Sequence, residues 1–433
     1  MYQPEIETMD RERLERLQLE RLKPLLKRVY ERIPFYHASF DEAGFDPEGL
    51  ETLDDLRKAP FTVKQDLRDN YPFGMFAVPR DEVVRIHASS GTTGTATVVG
   101  YTQADLDAWS DCFARAVGRA HGTKDSTMQV AYGYGLFTGG LGAHMGGERF
   151  GATVVPMSTG NTKRQVNLMR DFDVDILACT PSYAMHIADT ALEMGIDPAA
   201  DLKVSGMICG AEPMSDELRR ELEQKMGAQL IDIYGLSEVM GPGVACECKL
   251  QDGLHLAEDH FIAEIVDPDT FEPVPDGQWG ELVITTLSKE CSPLIRYRTR
   301  DITRILPGEC ACGCTHRRID RIRGRTDDML IIRGVNVFPR QVEEVITAFP
   351  EVSAWYQLVV STRGDLDAVD LNVEVVPEFD FDTVREVESL QRRIRAALKG
   401  NLQIAVNVRV VEPKTIERAE SKQKRVIDLR KRG

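Results

Sequence analysis

The sequence predicts an α/β protein: a large N-terminal region built on parallel strands, followed by a small α+β C-terminal domain. Three observations carry this reading. From residue 125 to 240, short apolar runs alternate with helical patterns, as expected of buried parallel strands joined by crossover helices. Over 261–305 the texture changes to strand-like runs around the turn PVPDGQWG, which points to antiparallel pairing. The charged, glycine-punctuated RIRGRTDD at 321–328 then interrupts both patterns. We place the domain boundary there, dividing the chain into 1–326 and 327–433.

Each element follows from local pattern. Leu14, Leu17, Leu22, Leu25, Leu26, Val29 and Ile33 recur at roughly helical spacing over 10–36,. Pro24 predicts a kink or two shorter helices, and Pro34 an end to the segment. Residues 50–80 read as short helical pieces broken by Pro60, Pro72 and Pro79. VVRIHAS at 83–89 reads as a strand entering a Ser/Thr/Gly loop, and Thr102 as the cap of a helix through Val117,. MQVAYG, ATVVP, VDILACT, VSGMICG and AQLIDIYG are the strands of the parallel region, with helices over 162–170, 181–193 and 215–226. Beyond the boundary, Pro339 opens a helix. WYQLVVS and VDLNVEVV form a hairpin, 382–398 a helix and 402–411 a last strand.

Composition excludes several classes. A chain of 433 residues is too long for one ordinary core,. It has no run of about 18 apolar residues that would span a membrane, and its first residues, MYQPEIETMDRERLERL, are charged. These features predict a cytoplasmic protein without a membrane partner. The formal net charge of −16 argues against a nucleic-acid surface,. Nine cysteines in this length are not a disulfide scaffold,. Their clustering matters more: Cys246 and Cys248 precede His255, and Cys310, Cys312 and Cys314 precede His316. Such spacings suit Zn²⁺, although buried thiols brought together by chance fit the pattern too.

Residues 89–97 read SSGTTGTAT. Small residues let backbone N–H groups approach a polyphosphate closely. The loop lacks the GK[ST] ending of a P-loop and is no dinucleotide fingerprint. Alone, such a cluster is more often a surface loop, and its position directly after a strand favours the phosphate reading.

Seven motifs in order bear on the choice: HASSGTTG at 87–94, YGYGLFTGG at 132–140, GAEP at 210–213, YGLSE at 234–238, LIRYRTRD at 294–301, GRTDDMLIIRGVNVFP at 324–339 and SKQKRVIDLR at 421–430. On these, along essentially its whole length, the chain resembles the adenylate-forming (ANL-type) acyl-CoA ligase superfamily, and more closely the phenylacetate–CoA ligases. The resemblance implies an enzyme that uses ATP, Mg²⁺ and coenzyme A to activate an aryl carboxylic acid through an acyl-adenylate.

It also implies roles for single residues. Ser89, Ser90, Gly91, Thr92, Thr93, Gly94 and Thr95 would cradle the phosphates of ATP. Gly210, Ala211, Glu212, Pro213, Tyr234 and Gly235 would line the adenine pocket. Asp301 would accept the ribose hydroxyls, with Arg325 as a further nucleotide contact. Glu238 would hold magnesium, Lys422 would be catalytic, and Asp327 would be the hinge of a mobile C-terminal domain. Tyr134, Phe137 and Ala211 would form the acid pocket. Cys248, His255, Cys310 and Cys312 match the zinc positions of some relatives, with Cys246, Cys314 and His316 as alternatives. Read alone, Glu238 is a turn acid, Asp301 the partner of a neighbouring arginine, Tyr134 and Phe137 core aromatics, and Lys422 a solvated lysine with Lys424 as its rival.

Two departures stand out. Thr95 occupies a position where the family usually has lysine, which predicts weaker ATP binding, and Ser421 replaces a glycine. They keep open a nucleotide-binding regulatory protein without catalysis. The other rival is a related ligase with a non-CoA acceptor, such as a deazaflavin-adenylylating enzyme. A symmetric homodimer is the generic expectation for a soluble enzyme.

Overall fold

The computed structural model describes residues 1–89, 96–326, 330–332, 335–337, 339–363, 366–381, 383–402, 406–419 and 425–430. The N-terminal region is α/β and the C-terminal domain is small and α+β. Among the described residues, the main sheet has nine strands. Its parallel part runs, in spatial order, Gln229–Leu236, Gly206–Gly210, Ile176–Cys179, Thr127–Val130 and Thr153–Val155. Gly241–Glu247 and Leu254–Leu256 extend it antiparallel beyond Gln229–Leu236. Phe261–Val266, Gly280–Thr286, Tyr297–Thr303 and Gly324–Arg325 make a second, antiparallel sheet.

This order positions the site. From Thr127–Val130 the chain adds a strand on one side, then crosses to Ile176–Cys179 on the other. Such a reversal opens a crevice at the carboxyl ends of parallel strands. Residues 131–137, 211–213 and 237–238 all follow those ends.

One expectation needs correction, and one element was not foreseen. The helix Arg11–Arg32 is continuous through Pro24, so two shorter helices do not form; it ends before Pro34 as expected, and Pro34 starts the next helix, Pro34–Ala43, at its first turn. Pro24 and Glu20, whose carbonyl loses its partner, are both exposed. A proline inside a helix costs about 3 kcal/mol. Leu14, Leu22, Leu25, Leu26 and Val29 are buried on the opposite stripe, at roughly 1.5–3 kcal/mol each, so packing wins. The segment Thr138–Phe150, to which the sequence pattern assigned no element, is a helix. Its glycines allow close helix packing: a Cβ at Gly142 would lie 2.4 Å from the Trp109 ring, and one at Gly146 2.4 Å from Phe113 Cβ.

The C-terminal domain has its own apolar cluster, including Leu358, Leu371, Leu390, Ile394 and Val408. The hairpin Val352–Arg363 with Leu366–Val375 is flanked by two parallel strands, Asn407–Val411 and Val426–Asp428. The second of these was not expected from sequence. No helix among the described residues is long and apolar enough to cross a membrane.

Candidate active site

The strand Arg85–Ala88 leads into the Ser/Thr/Gly loop, of which Ser89 is described. Ser90, Gly91, Thr92, Thr93, Gly94 and Thr95 lie outside the described residues, as do Asp327 and Lys422. The base of the loop is closed by Ser89 and Thr97. Ser89 donates its N–H to the Thr97 carbonyl at 3.0 Å, and Thr97 donates its N–H and hydroxyl to Ser89 Oγ at 3.1 and 2.8 Å. Thr97 is fully buried, and its Oγ1 lies 3.5 Å from Glu238 Oε1. The same carboxylate oxygen accepts Lys64 Nζ at 2.8 Å. The acid expected at the phosphate end therefore sits at the loop base. Lys64 was not among the residues singled out from sequence; its partner belongs to a distant segment, and local pattern carries no signal for it.

Tyr234, Asp301 and Arg325 come together. The Tyr234 hydroxyl donates to Asp301 Oδ2 at 2.6 Å, and Arg325 Nη1 contacts Asp301 Oδ1 at 3.1 Å. Burial, then the Asp301 charge, raises the Tyr234 pKa well above its ordinary value, so the phenol remains a donor. The ion pair offered by the simpler reading of Asp301 is thus present, with Arg325 itself as the partner. Gly235 must be glycine, since a Cβ there would lie 1.9 Å from the Gly241 carbonyl oxygen. Gly210 ends its strand, and Ala211 follows at φ 69°, a strained left-handed conformation for a residue with a side chain,. Glu212 accepts the N–H and hydroxyl of Ser182 at 3.1 and 2.9 Å. Its carboxylate thereby serves the first turn of the helix Pro181–Glu193, leaving the Gly210–Pro213 backbone as the part available to a nucleotide.

Tyr134 and Phe137 precede the glycine-rich helix. The Tyr134 hydroxyl donates to His144 Nδ1 at 3.1 Å, and His144 Nε2 donates to Glu148 at 3.0 Å. This leaves the Tyr134 ring, rather than its hydroxyl, to face an apolar partner. Phe137 is half exposed. Tyr132 ties this segment to the strand leading to Ala211 through a 3.3 Å bond to the Ile208 carbonyl.

The ligand atoms of Cys248, His255, Cys310 and Cys312 all lie within 4.8 Å of one another. Cys248 and Cys310 sulfurs are 3.8 Å apart, Cys312 Sγ is 3.4 Å from His255 Nε2, and none of the cysteines is in a disulfide. His255 Nδ1 donates to the His316 carbonyl at 3.2 Å, fixing the tautomer that leaves Nε2 free for a metal. The alternatives are engaged elsewhere. Arg119 donates to Cys246 Sγ at 3.0 Å and contacts Cys314 Sγ at 3.8 Å, while His316 Nε2 donates to the Ile6 carbonyl at 3.1 Å.

Comparison with known proteins decides the family. The AMP-binding enzyme family matches residues 23–288, and the AMP-binding enzyme C-terminal domain matches residues 334–430. A phenylacetate-coenzyme A ligase of Thermus thermophilus is 50% identical over 445 residues, covering 100% of both chains. The chain belongs to the phenylacetate–CoA ligase family. It also resembles solved structures of 2-hydroxyisobutyryl-CoA ligase, 28% identical. The form in the postadenylation state with 2-HIB-AMP superposes with a TM-score of 0.92, covering 98% of this chain and 91% of that one. The form with 2-HIB-AMP and CoA in the thioesterification state gives 0.72, covering 99% and 92%.

In this member of the phenylacetate–CoA ligase family, the C-terminal domain packs on the helix Pro181–Glu193. Trp355 and Ile416 join the apolar cluster of Tyr183, Met185 and Met214. Lys414 pairs with Glu193. Arg425, three residues beyond Lys422, pairs with the buried Glu343 at 3.2 Å and lies over the Tyr356 ring.

Proposed function

We propose that this ligase joins phenylacetate, or a related aryl acid, to coenzyme A in two steps. A carboxylate oxygen attacks the α-phosphorus of ATP and pyrophosphate leaves, giving acyl-AMP. The CoA thiolate then attacks the acyl carbon and AMP leaves. The observation that supports this reading best is the convergence of the Thr97–Glu238 loop base and the Tyr234–Asp301–Arg325 cluster at one end of the sheet. The first element suits phosphate and the second suits ribose.

A buried carboxylate beside a hydroxyl is a hard-oxygen set that fits magnesium,. Mg²⁺ held there would neutralise phosphate charge. Glu238 would hold it, Asp301 would orient the ribose, and the Tyr134 ring would receive the aryl group. Lys422 is assigned to the carboxylate and α-phosphate, and Asp327 to the hinge between 1–326 and 327–433. The postadenylation-like arrangement supports a reading in which the second step needs a different orientation of the C-terminal domain. Cys248, His255, Cys310 and Cys312 suit a closed, tetrahedral structural zinc site. ATP and CoA as co-substrates favour a cytoplasmic setting.

The test is an aryl-acid screen following AMP, pyrophosphate and CoA thioester together. Phenylacetate should give all three in equal amounts. AMP or pyrophosphate without thioester would favour another acceptor, and no product at all would favour a non-catalytic nucleotide binder.

A further inference from the structure

We propose that Lys64 is a positioning residue for the metal-bearing nucleotide: it holds the Glu238 carboxylate until ATP arrives and then yields it to the magnesium that ATP brings. The inference rests on the magnesium role proposed for Glu238.

The root of Lys64 is fixed. Thr62 donates its N–H to the Arg296 carbonyl at 3.1 Å and accepts the Arg298 N–H at 2.9 Å. Its hydroxyl donates to the Ile295 carbonyl at 2.7 Å, and Tyr36 Oη lies 3.0 Å away. These bonds stitch the chain just before Lys64 to the segment that enters Tyr297–Thr303, the strand carrying Asp301. Asp66 accepts the Val63 N–H at 2.7 Å and closes the first turn of Lys64–Asp69. Lys64 thus starts from a set point on the edge of the nucleotide site.

Its ammonium remains free to exchange. The Lys64 side chain is 37% exposed, against 8% for Glu238. A carboxylate so buried is costly without a counter-charge. Among the described residues Lys64 supplies that charge, and magnesium would supply it in the nucleotide complex. Lysine suits a temporary partner, because it is a point charge on a flexible stem and makes no bidentate grip. Released from Glu238, the ammonium would stand beside the polyphosphate, where a cation is wanted. The arrangement also disfavours a free divalent cation in the absence of nucleotide, since that ion must displace the lysine.

The experiment uses the full chain and Mn²⁺ alone as probe, with free Mn²⁺ read by electron paramagnetic resonance. Without nucleotide, Lys64→Met should bind Mn²⁺ at least about threefold tighter than wild type, the size of a partly exposed ion pair. Lys64→Arg should stay near wild type. In pyrophosphate exchange Lys64→Met should raise the KM for ATP on the order of tenfold, with partial rescue in Lys64→Arg. Unchanged Mn²⁺ affinity in Lys64→Met would overturn the proposal, as would equal tightening in Lys64→Arg. Glu238→Gln separates the two readings. If it abolishes Mn²⁺ binding while Lys64→Met changes nothing, the Lys64 inference alone falls. If Mn²⁺ binding survives it with and without ATP, the role of Glu238 falls too.

Discussion

Lys289 is fully buried, with its ammonium 3.1 Å from the centroid of the Tyr101 ring and no hydrogen-bond partner among the described residues. Burial pushes its pKa down to about 8, against the raising influence of Asp105 and Cys291. In the unfolded chain a lysine holds its proton to about 10.4. Between these values the unfolded state binds more protons than the folded one. Stability should therefore rise with pH across that window and carry a constant penalty below it. Lys289→Met keeps the length, removes the charge and retains contact with the ring. We expect it to be more stable than wild type by roughly 1–3 kcal/mol near neutral pH and to lose the alkaline rise. Thermal unfolding at neutral and alkaline pH reads both effects; a variant less stable at neutral pH would show that the cation–ring contact outweighs the desolvation. Neither Lys289 nor Lys64 was legible in the sequence, because each depends on a partner brought in by the fold. Asp301 and Glu238 were singled out only through motif order.

At the scale of elements, the N-terminal strap is bound to the cysteine cluster. The Glu7 carboxylate accepts the N–H groups of Tyr2 and Gln3 and pairs with Arg119 at 2.8 Å. Thr315 donates its N–H to the Glu7 carbonyl and its hydroxyl to the Met9 carbonyl, one residue beyond Cys314. Both Glu7 and Arg119 are buried, so Glu7→Ala leaves a guanidinium without its carboxylate. Breaking one side of a buried pair costs about 3–5 kcal/mol. The thermal midpoint should fall accordingly, and a loss below about 1 kcal/mol would mean that Arg119 finds another partner. The zinc reading has its own measurement: purified protein should hold close to one equivalent, and less than about half would reject it. The parallel strands were readable because burial on both faces leaves continuous apolar runs. The helix Thr138–Phe150 was not, because its packing relies on glycines meeting Trp109 and Phe113, and absent side chains leave no periodicity. Pro24 misled for a different reason: the apolar stripe was visible, but the local cost of proline is smaller than the summed burial along that stripe,.

At the scale of the whole molecule, one tryptophan links the two parts. Trp355 lies on the strand Val352–Arg363 of the C-terminal domain, yet it is buried in the cluster of Tyr183, Met185 and Met214. Arg418 lies 4.0 Å over its ring and pairs with the buried Glu374, so the tryptophan is braced from its own domain while the cluster it joins is built mostly from residues of the other. Removing it should weaken this arrangement more than it weakens either core. If the arrangement serves adenylate formation, Trp355→Ala should slow pyrophosphate release, and a loss of about 1.4 kcal/mol in its favour corresponds to about tenfold. Thioester formation from supplied acyl-AMP should remain within about twofold, because that step draws on another orientation of the same domain. Measuring the two half-reactions separately distinguishes a shifted orientation from general damage: unequal losses follow from the first, and equal losses would reject the proposed division between the two states.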